Sequence, residues 1–152
     1  MSGAAVVCTD SSALLGEHDA ARLGIEVVPI GVVLDGERAP ADMEPDGFYA
    51  RLAAGATVAT SLPSPAEFAA VYAAAAARGE ASVISIHLDE RVSGTAGSAE
   101  LAAREAPIPV SIVDTGTVSF GVGICARAAA EALAAGASPG RPQRSLAGLA
   151  RR

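Results

Sequence analysis

Apolar, β-branched runs recur along the chain, separated by stretches in which apolar residues return every three or four positions. The runs are residues 4–8 ("AAVVC"), 25–37 ("IEVVPIGVVLDGE"), 81–88 ("ASVISIHL") and 108–117 ("IPVSIVDTGT"), the last strand-like as far as Asp114. Runs this short and this rich in Val and Ile predict buried strands. The intervening segments predict helices. "LLGEHDAARLG" reads as a short one closed by Gly24, and "EPDGFYARLAAG" as one starting near Pro45 with Phe48, Leu52 and Tyr49 turned inward. "AEFAAVYAAAAARGE" places Phe68, Val71, Tyr72 and Ala75 on one face and stops at Gly79. A small-residue helix follows to about Glu105, and "VSFGVGICARAAAEALAAG" is a long apolar helix ending near Gly136. Asp35-Gly36 marks a turn, and Pro29 points to an edge or bulge rather than a central strand. "ATSLPSPAEF" reads as a hydroxyl- and proline-rich loop.

Strands alternating with helices predict an α/β fold, a three-layer domain whose mainly parallel sheet is flanked by helices. Ligands in such sheets collect beyond the carboxyl ends of the strands. Three hydroxyl-rich turns fall there or within reach: Thr9-Asp10-Ser11, Thr60-Ser61 with Ser64, and Ser93-Gly94-Thr95. Hydroxyls beside the N–H groups of a helix start make a neutral cradle for a carboxylate or a phosphate, and Ser and Thr at such places also serve simply as caps. A nucleophilic alternative draws on Ser93, His87 and Asp114, which supply the residue types of a hydrolase triad. The G-x-S-x-G elbow is absent, however, and His87 sits inside a strand.

Composition narrows the field. The 152 residues suit one domain with a single core, and a net charge of −6 argues against nucleic acid or an anionic membrane surface as the main partner. There is no lysine, which removes P-loop and Schiff-base chemistry. Cys8 and Cys125 read as reduced, buried residues; His18 reads as a surface residue, and Asp42, Glu44 and Asp46 as a solvated acidic loop without metal-ligand partners. No signal-peptide pattern or membrane-length apolar run is evident, so a cytoplasmic protein without membrane insertion is expected. Residues 137–152 ("ASPGRPQRSLAGLARR") change character, with two prolines and four arginines, and are expected to form a disordered tail after a domain spanning 1–136.

Five stretches taken together resemble the DegV family of bacterial fatty-acid-binding proteins, the binding subunits of fatty acid kinase. They are "VCTDSSALL", "GIEVVPIGVVLDGE", "TSLPSPAEF", "VISIHLDERVSGTAGSA" and "SIVDTGTVSFGVG", which occur in the family's order between residues 5 and about 136. The resemblance implies the N-terminal α/β domain of a two-domain protein that holds one long-chain fatty acid for phosphorylation by a kinase subunit. Thr60 and Ser61 match the first head-group motif, and Ser93, Gly94 and Thr95 match the second. Ser119, Gly121 and Gly123 match a small-residue helix start close to the ligand. No cofactor, metal or catalytic residue is implied. A neutral cradle suits an anionic head that must later be modified, while each buried CH₂ of the tail contributes about 0.8 kcal/mol. The chain departs from the family at Leu62, where Gln is frequent, and at Ala96, where Tyr is frequent. At 152 residues it is expected to leave out the C-terminal domain that the resemblance implies, as a truncated form with a half-built tail pocket. A small Ser-dependent hydrolase or transferase and a ligand-free interaction remnant remain the rival readings.

Overall fold

The computed structural model describes residues 4–40 and 42–138. Strand β1 (Ala5–Asp10) runs two residues past its apolar pattern. Thr9 and Asp10 stay in the sheet because their side chains find partners there: Thr9 Oγ1 donates to the Ile86 carbonyl at 2.8 Å, and Asp10 is paired as described below. A single 3₁₀ turn at Ser11–Ala13 follows, closed by Leu14 with φ 52°. That left-handed residue interrupts the helix expected from residue 14, so α1 (Glu17–Leu23) begins three residues later and ends at Gly24 (φ 64°) as its sequence indicates.

The remaining elements are β2 (Ile25–Val28), β3 (Gly31–Leu34), β4 (Glu37–Arg38), α2 (Pro45–Ala53), β5 (Val58–Ser61), α3 (Pro65–Ala77), β6 (Ser82–His87), α4 (Thr95–Ala103), β7 (Val110–Asp114) and α5 (Phe120–Ala134). Strands β2, β1, β6 and β7 form a four-stranded sheet in that order, with every pair parallel. Side chains alternate across it. Val6 and Cys8 of β1, with Val83 of β6, pack against Phe68, Tyr72 and Ala75 of α3 and Ala99 and Ala102 of α4. On the other face, Val7 and Ile86 pack against Ala126 and Ala130 of α5 and half-buried Leu23 of α1. This is the expected three-layer α/β fold. Fully burying Phe68 contributes roughly 1.5–3 kcal/mol to the helix-facing core, and burial also pushes the Cys8 thiol up to about 12, leaving it an inert small hydrophobe.

Pro29 separates two sheets. Beyond it the chain leaves the parallel sheet and forms a small antiparallel one in the order β4-β3-β5, which the sequence pattern alone does not predict. Asp35 (φ 52°) and Gly36 (φ 87°) make the two-residue turn between β3 and β4, as their identities suggest. The segment 58–61, expected as loop, is a strand because it pairs with β3, Val32 opposite Thr60 and Gly31 opposite Ser61. Helix α2 starts at Pro45 as expected but has no fully buried residue: Phe48 is half-buried, and Leu52 and Tyr49 are exposed. Phe48 and Tyr49 line, with Pro29–Val32, Arg38 and Met43, an open groove of about 700 Å³. The expected tail lies, from residue 139 onward, outside the described residues.

Candidate functional site

Successive strands β1 and β2 lie on one side of the sheet's midline and β6 and β7 on the other, so the strand order reverses between β1 and β6. The segments leaving the carboxyl ends of those two strands flank the crevice that this reversal creates. After β1 comes the first hydroxyl turn, and the structure commits it to internal bonding. Asp10 Oδ1 accepts from Ser12 N at 3.0 Å and from the Ser12 hydroxyl, and Ser11 Oγ accepts from Ile30 N at 2.9 Å.

Asp10 also anchors a buried polar chain. His87 Nδ1 lies 2.8 Å from Asp10 Oδ2, His87 Nε2 lies 2.7 Å from Ser85 Oγ, and Ser85 Oγ lies 2.9 Å from the Tyr72 hydroxyl. All four residues are fully buried. The direction of donation follows from the far end, where Ser85 is the only partner recorded for the Tyr72 hydroxyl among the described residues. Tyr72 must donate to Ser85, so Ser85 donates to Nε2 and the imidazole donates through Nδ1 to the carboxylate. Burial pushes the Asp10 pKa up, but the hydrogen bonds from His87 and Ser12 outweigh it and hold the carboxyl below its ordinary value. Ser85, His87 and Asp10 thus have the composition of a catalytic triad, sealed from solvent. The triad considered from sequence does not assemble, because both ring nitrogens of His87 are engaged away from Ser93, and Asp114 Oδ1 accepts from Gly116 N at 2.9 Å.

After β6 the chain turns through Asp89–Ser93 into α4. Ser93 Oγ and Thr95 Oγ1 lie 2.8 Å apart, with Thr95 buried, Ser93 half-buried and Gly94 exposed at the cap position. Ser93 Oγ also accepts from Thr95 N at 3.3 Å. This puts a hydroxyl pair at the electropositive end of α4. The segment after the first motif reaches the same place: a methyl built on Gly94 would sit 3.5 Å from Leu62 Cδ2, so the segment joining β5 to α3 packs over the turn. Thr60 and Ser61 precede Leu62 on β5, Thr60 exposed and Ser61 half-buried. Ser64 serves α3 instead, closing a capping box with Glu67. Leu62, the residue after Thr60-Ser61, therefore lies beside Gly94 of the Ser93-Gly94-Thr95 turn.

The turn's shape comes from Asp89, a nearly buried residue that sequence reasoning missed. Its Oδ1 accepts from Arg91 N at 2.8 Å and from Arg91 Nε at 2.9 Å, and its other oxygen is paired with Arg91 Nη2. The Arg91 side chain and backbone bonds draw the Asp89 carboxyl down to about 2. An Asp two residues before a basic side chain, just past a strand, is the signal that could have found it.

The third segment leads from β7 into α5. Ser119 caps α5 with φ 59° and ψ −133°, a sparsely populated conformation for a residue with a side chain. A methyl on Gly121 would overlap the Thr117 side chain, and one on Gly123 would overlap the Ala13 carbonyl oxygen. These glycines let α5 approach its neighbours, Gly123 against the 3₁₀ turn after β1. Exposed apolar side chains lie on these segments and at the start of α5: Leu14 after β1, Val92 after β6, Val118 before α5, and Phe120 and Ile124 in its first two turns. Among the described residues no three or more His, Cys, Asp or Glu side chains cluster as metal ligands, and no helix is long and apolar enough to cross a membrane.

Comparison with known proteins places these features in context. Residues 4–150 match the family described as "Uncharacterised protein, DegV family". A DegV domain-containing protein of Streptomyces coelicolor is 41% identical over 139 residues, which are 90% of this chain and 49% of that protein. Among solved structures, a Thermus thermophilus DegV family protein described as fatty acid binding superposes with a TM-score of 0.79 at 39% identity, over 90% of this chain and 49% of that one. DegV of Bacillus subtilis, described as a fatty acid binding protein, superposes with a TM-score of 0.82 at 30% identity, over 91% and 50%. The chain spans about half the length of these relatives.

Proposed function

The chain belongs to the DegV family, and from that premise we propose that it binds a long-chain fatty acid at the carboxyl edge of its parallel sheet. The carboxylate is held by the hydroxyls of Ser93 and Thr95, with Thr60 and Ser61 on the approaching strand, and the small-residue start of α5 at Ser119 and Gly121 admits the chain nearby. The observation that carries this reading is the 2.8 Å Ser93–Thr95 hydroxyl pair at the start of α4, with the β5–α3 segment packed over it and apolar side chains exposed on the adjoining segments. Hydroxyls and helix N–H groups satisfy a carboxylate without a fixed cation, which leaves the head free to be modified. The exposed apolar residues supply the surface that an acyl tail covers.

The protein acts as a carrier in the cytoplasm rather than as a catalyst. The sealing of Ser85, His87 and Asp10 and the separation of His87 from Ser93 support that part of the reading. The motif resemblance supports presentation of the bound acid to a fatty acid kinase subunit, with the remainder of the tail site supplied by a second domain of the kind that resemblance implies. Organic extraction of purified protein followed by mass spectrometry tests the proposal. Fatty acid approaching one equivalent in the wild type, reduced at least several-fold in Ser93→Ala, is expected. Protein that carries no fatty acid even after incubation with palmitate contradicts it.

A further inference from the structure

Asp89 does more than end a strand. Its backbone N–H donates to the Thr117 carbonyl at 2.9 Å, and its own carbonyl accepts from Val92 N at 2.9 Å and Ser93 N at 3.2 Å. Its carboxylate accepts from Arg91 N at 2.8 Å and grips the Arg91 guanidinium. The residue is 5% exposed, whereas the Arg91 side chain it holds is 79% exposed. The side chain therefore folds residues 89–91 into a tight turn, and that turn returns the N–H groups of Val92 and Ser93 to the Asp89 carbonyl. Ser93 Oγ reaches Thr95 Oγ1 because its backbone is fixed this way. The Thr117 bond extends the tie to the segment that enters α5, one residue from the exposed Val118 and three from the exposed Phe120.

We propose that Asp89 is the positioning residue of the hydroxyl cradle, setting Ser93 against Thr95 and coupling that turn to the apolar segment before α5. The inference rests on the fatty-acid reading only for its functional consequence; the positioning itself is a property of the free protein. Arg91 acts through Asp89, as a clamp on the carboxylate rather than as a ligand-binding cation. Asn at position 89 keeps the acceptor for Arg91 N and loses the charge; Ala removes both.

Hydrogen exchange of the unliganded full chain, with palmitate displacement of cis-parinaric acid alongside, tests this. In Asp89→Ala, peptides covering 90–98 and 116–122 should exchange at least ten-fold faster, while those of β1 and α3 keep wild-type protection. Asp89→Asn should stay within three-fold of wild type, and palmitate affinity should follow the same order, falling ten-fold or more only in the Ala variant. Unchanged exchange at 90–98 in Asp89→Ala overturns the inference whatever the ligand data show. Equal acceleration everywhere also overturns it, because that is global destabilisation. Localised exchange in a chain that never binds palmitate upholds the positioning role and instead sinks the fatty-acid reading.

Discussion

Single residues at the carboxyl edge divide between those that hold the fold and those left free to meet a ligand, and buried hydrogen bonding decides which is which. Asp10 and His87 belong to the first group. Their chain through Ser85 to Tyr72 donates in one direction only, towards the carboxylate. Tyr72→Phe removes the outermost donor and leaves one acceptor unpaired, so a loss of about 1 kcal/mol is expected. Asp10→Asn has one carbonyl oxygen for two sets of donors, so its N–H₂ must face either the imidazole N–H or the Ser12 N–H and leave a buried donor unmatched; a loss of about 2–3 kcal/mol follows at pH 7. The pH dependence has a definite sign. The Asp10 pKa is depressed in the fold, so its stabilisation is complete above the unfolded value near ~4 and fades as pH falls through the lower folded value. Urea unfolding at pH 7, 5 and 3 should show the wild type losing more stability than Asp10→Asn on the acid limb, and equal losses would contradict the assignment. The identity of these residues was visible in sequence, but their partnership was not, since Asp10 and His87 are 77 positions apart.

At the scale of elements, legibility tracks how local the cause of each element is. The four strands of the parallel sheet and helices α3 and α5 follow from their own hydrophobic patterns, and the β3–β4 turn follows from Asp35-Gly36 alone. Strand β5 does not. Its four residues "VATS" run into Leu62-Pro63 and acquire strand structure only from β3, some twenty-seven residues earlier. Thr60 and Ser61 therefore stand out as a motif in the sequence, while the element that carries them, read as a loop, is a strand. Helix α2 shows the converse, a clear apolar side that the described residues leave only partly covered. Close approach of elements gives a further test. Gly123→Ala places a methyl on the Ala13 carbonyl oxygen, so α5 must move off the turn after β1; a loss of about 1–3 kcal/mol is expected despite the better helix propensity of Ala. Gly97→Ala in α4 meets nothing within 4 Å and should instead gain up to about 1 kcal/mol. Thermal unfolding of the two variants, shifted in opposite directions, checks the packing of both helices.

Among the described residues, the carboxyl end of the parallel sheet carries a hydroxyl pair at the start of α4 and exposed apolar side chains on the segments that follow β6 and β7. Phe120 and Ile124, one helical turn apart, are 71% and 68% exposed, and Val92 is 66% exposed next to Ser93. Apolar residues that exposed, on segments converging at one sheet edge, form a surface that water alone covers poorly. An amphipathic ligand with an anionic head matches both parts, and the chain's net charge of −6 leaves no general attraction for anions to substitute for that local fit. The open groove beside α2 is the competing location, apolar but without a hydroxyl pair. Backbone ¹H–¹⁵N spectra of the labelled chain, recorded as palmitate is added, distinguish the two most directly. The account predicts shifts concentrated at the amides of residues 93–97 and 118–124; shifts confined to residues 29–49, or no shifts at saturating palmitate, would contradict it.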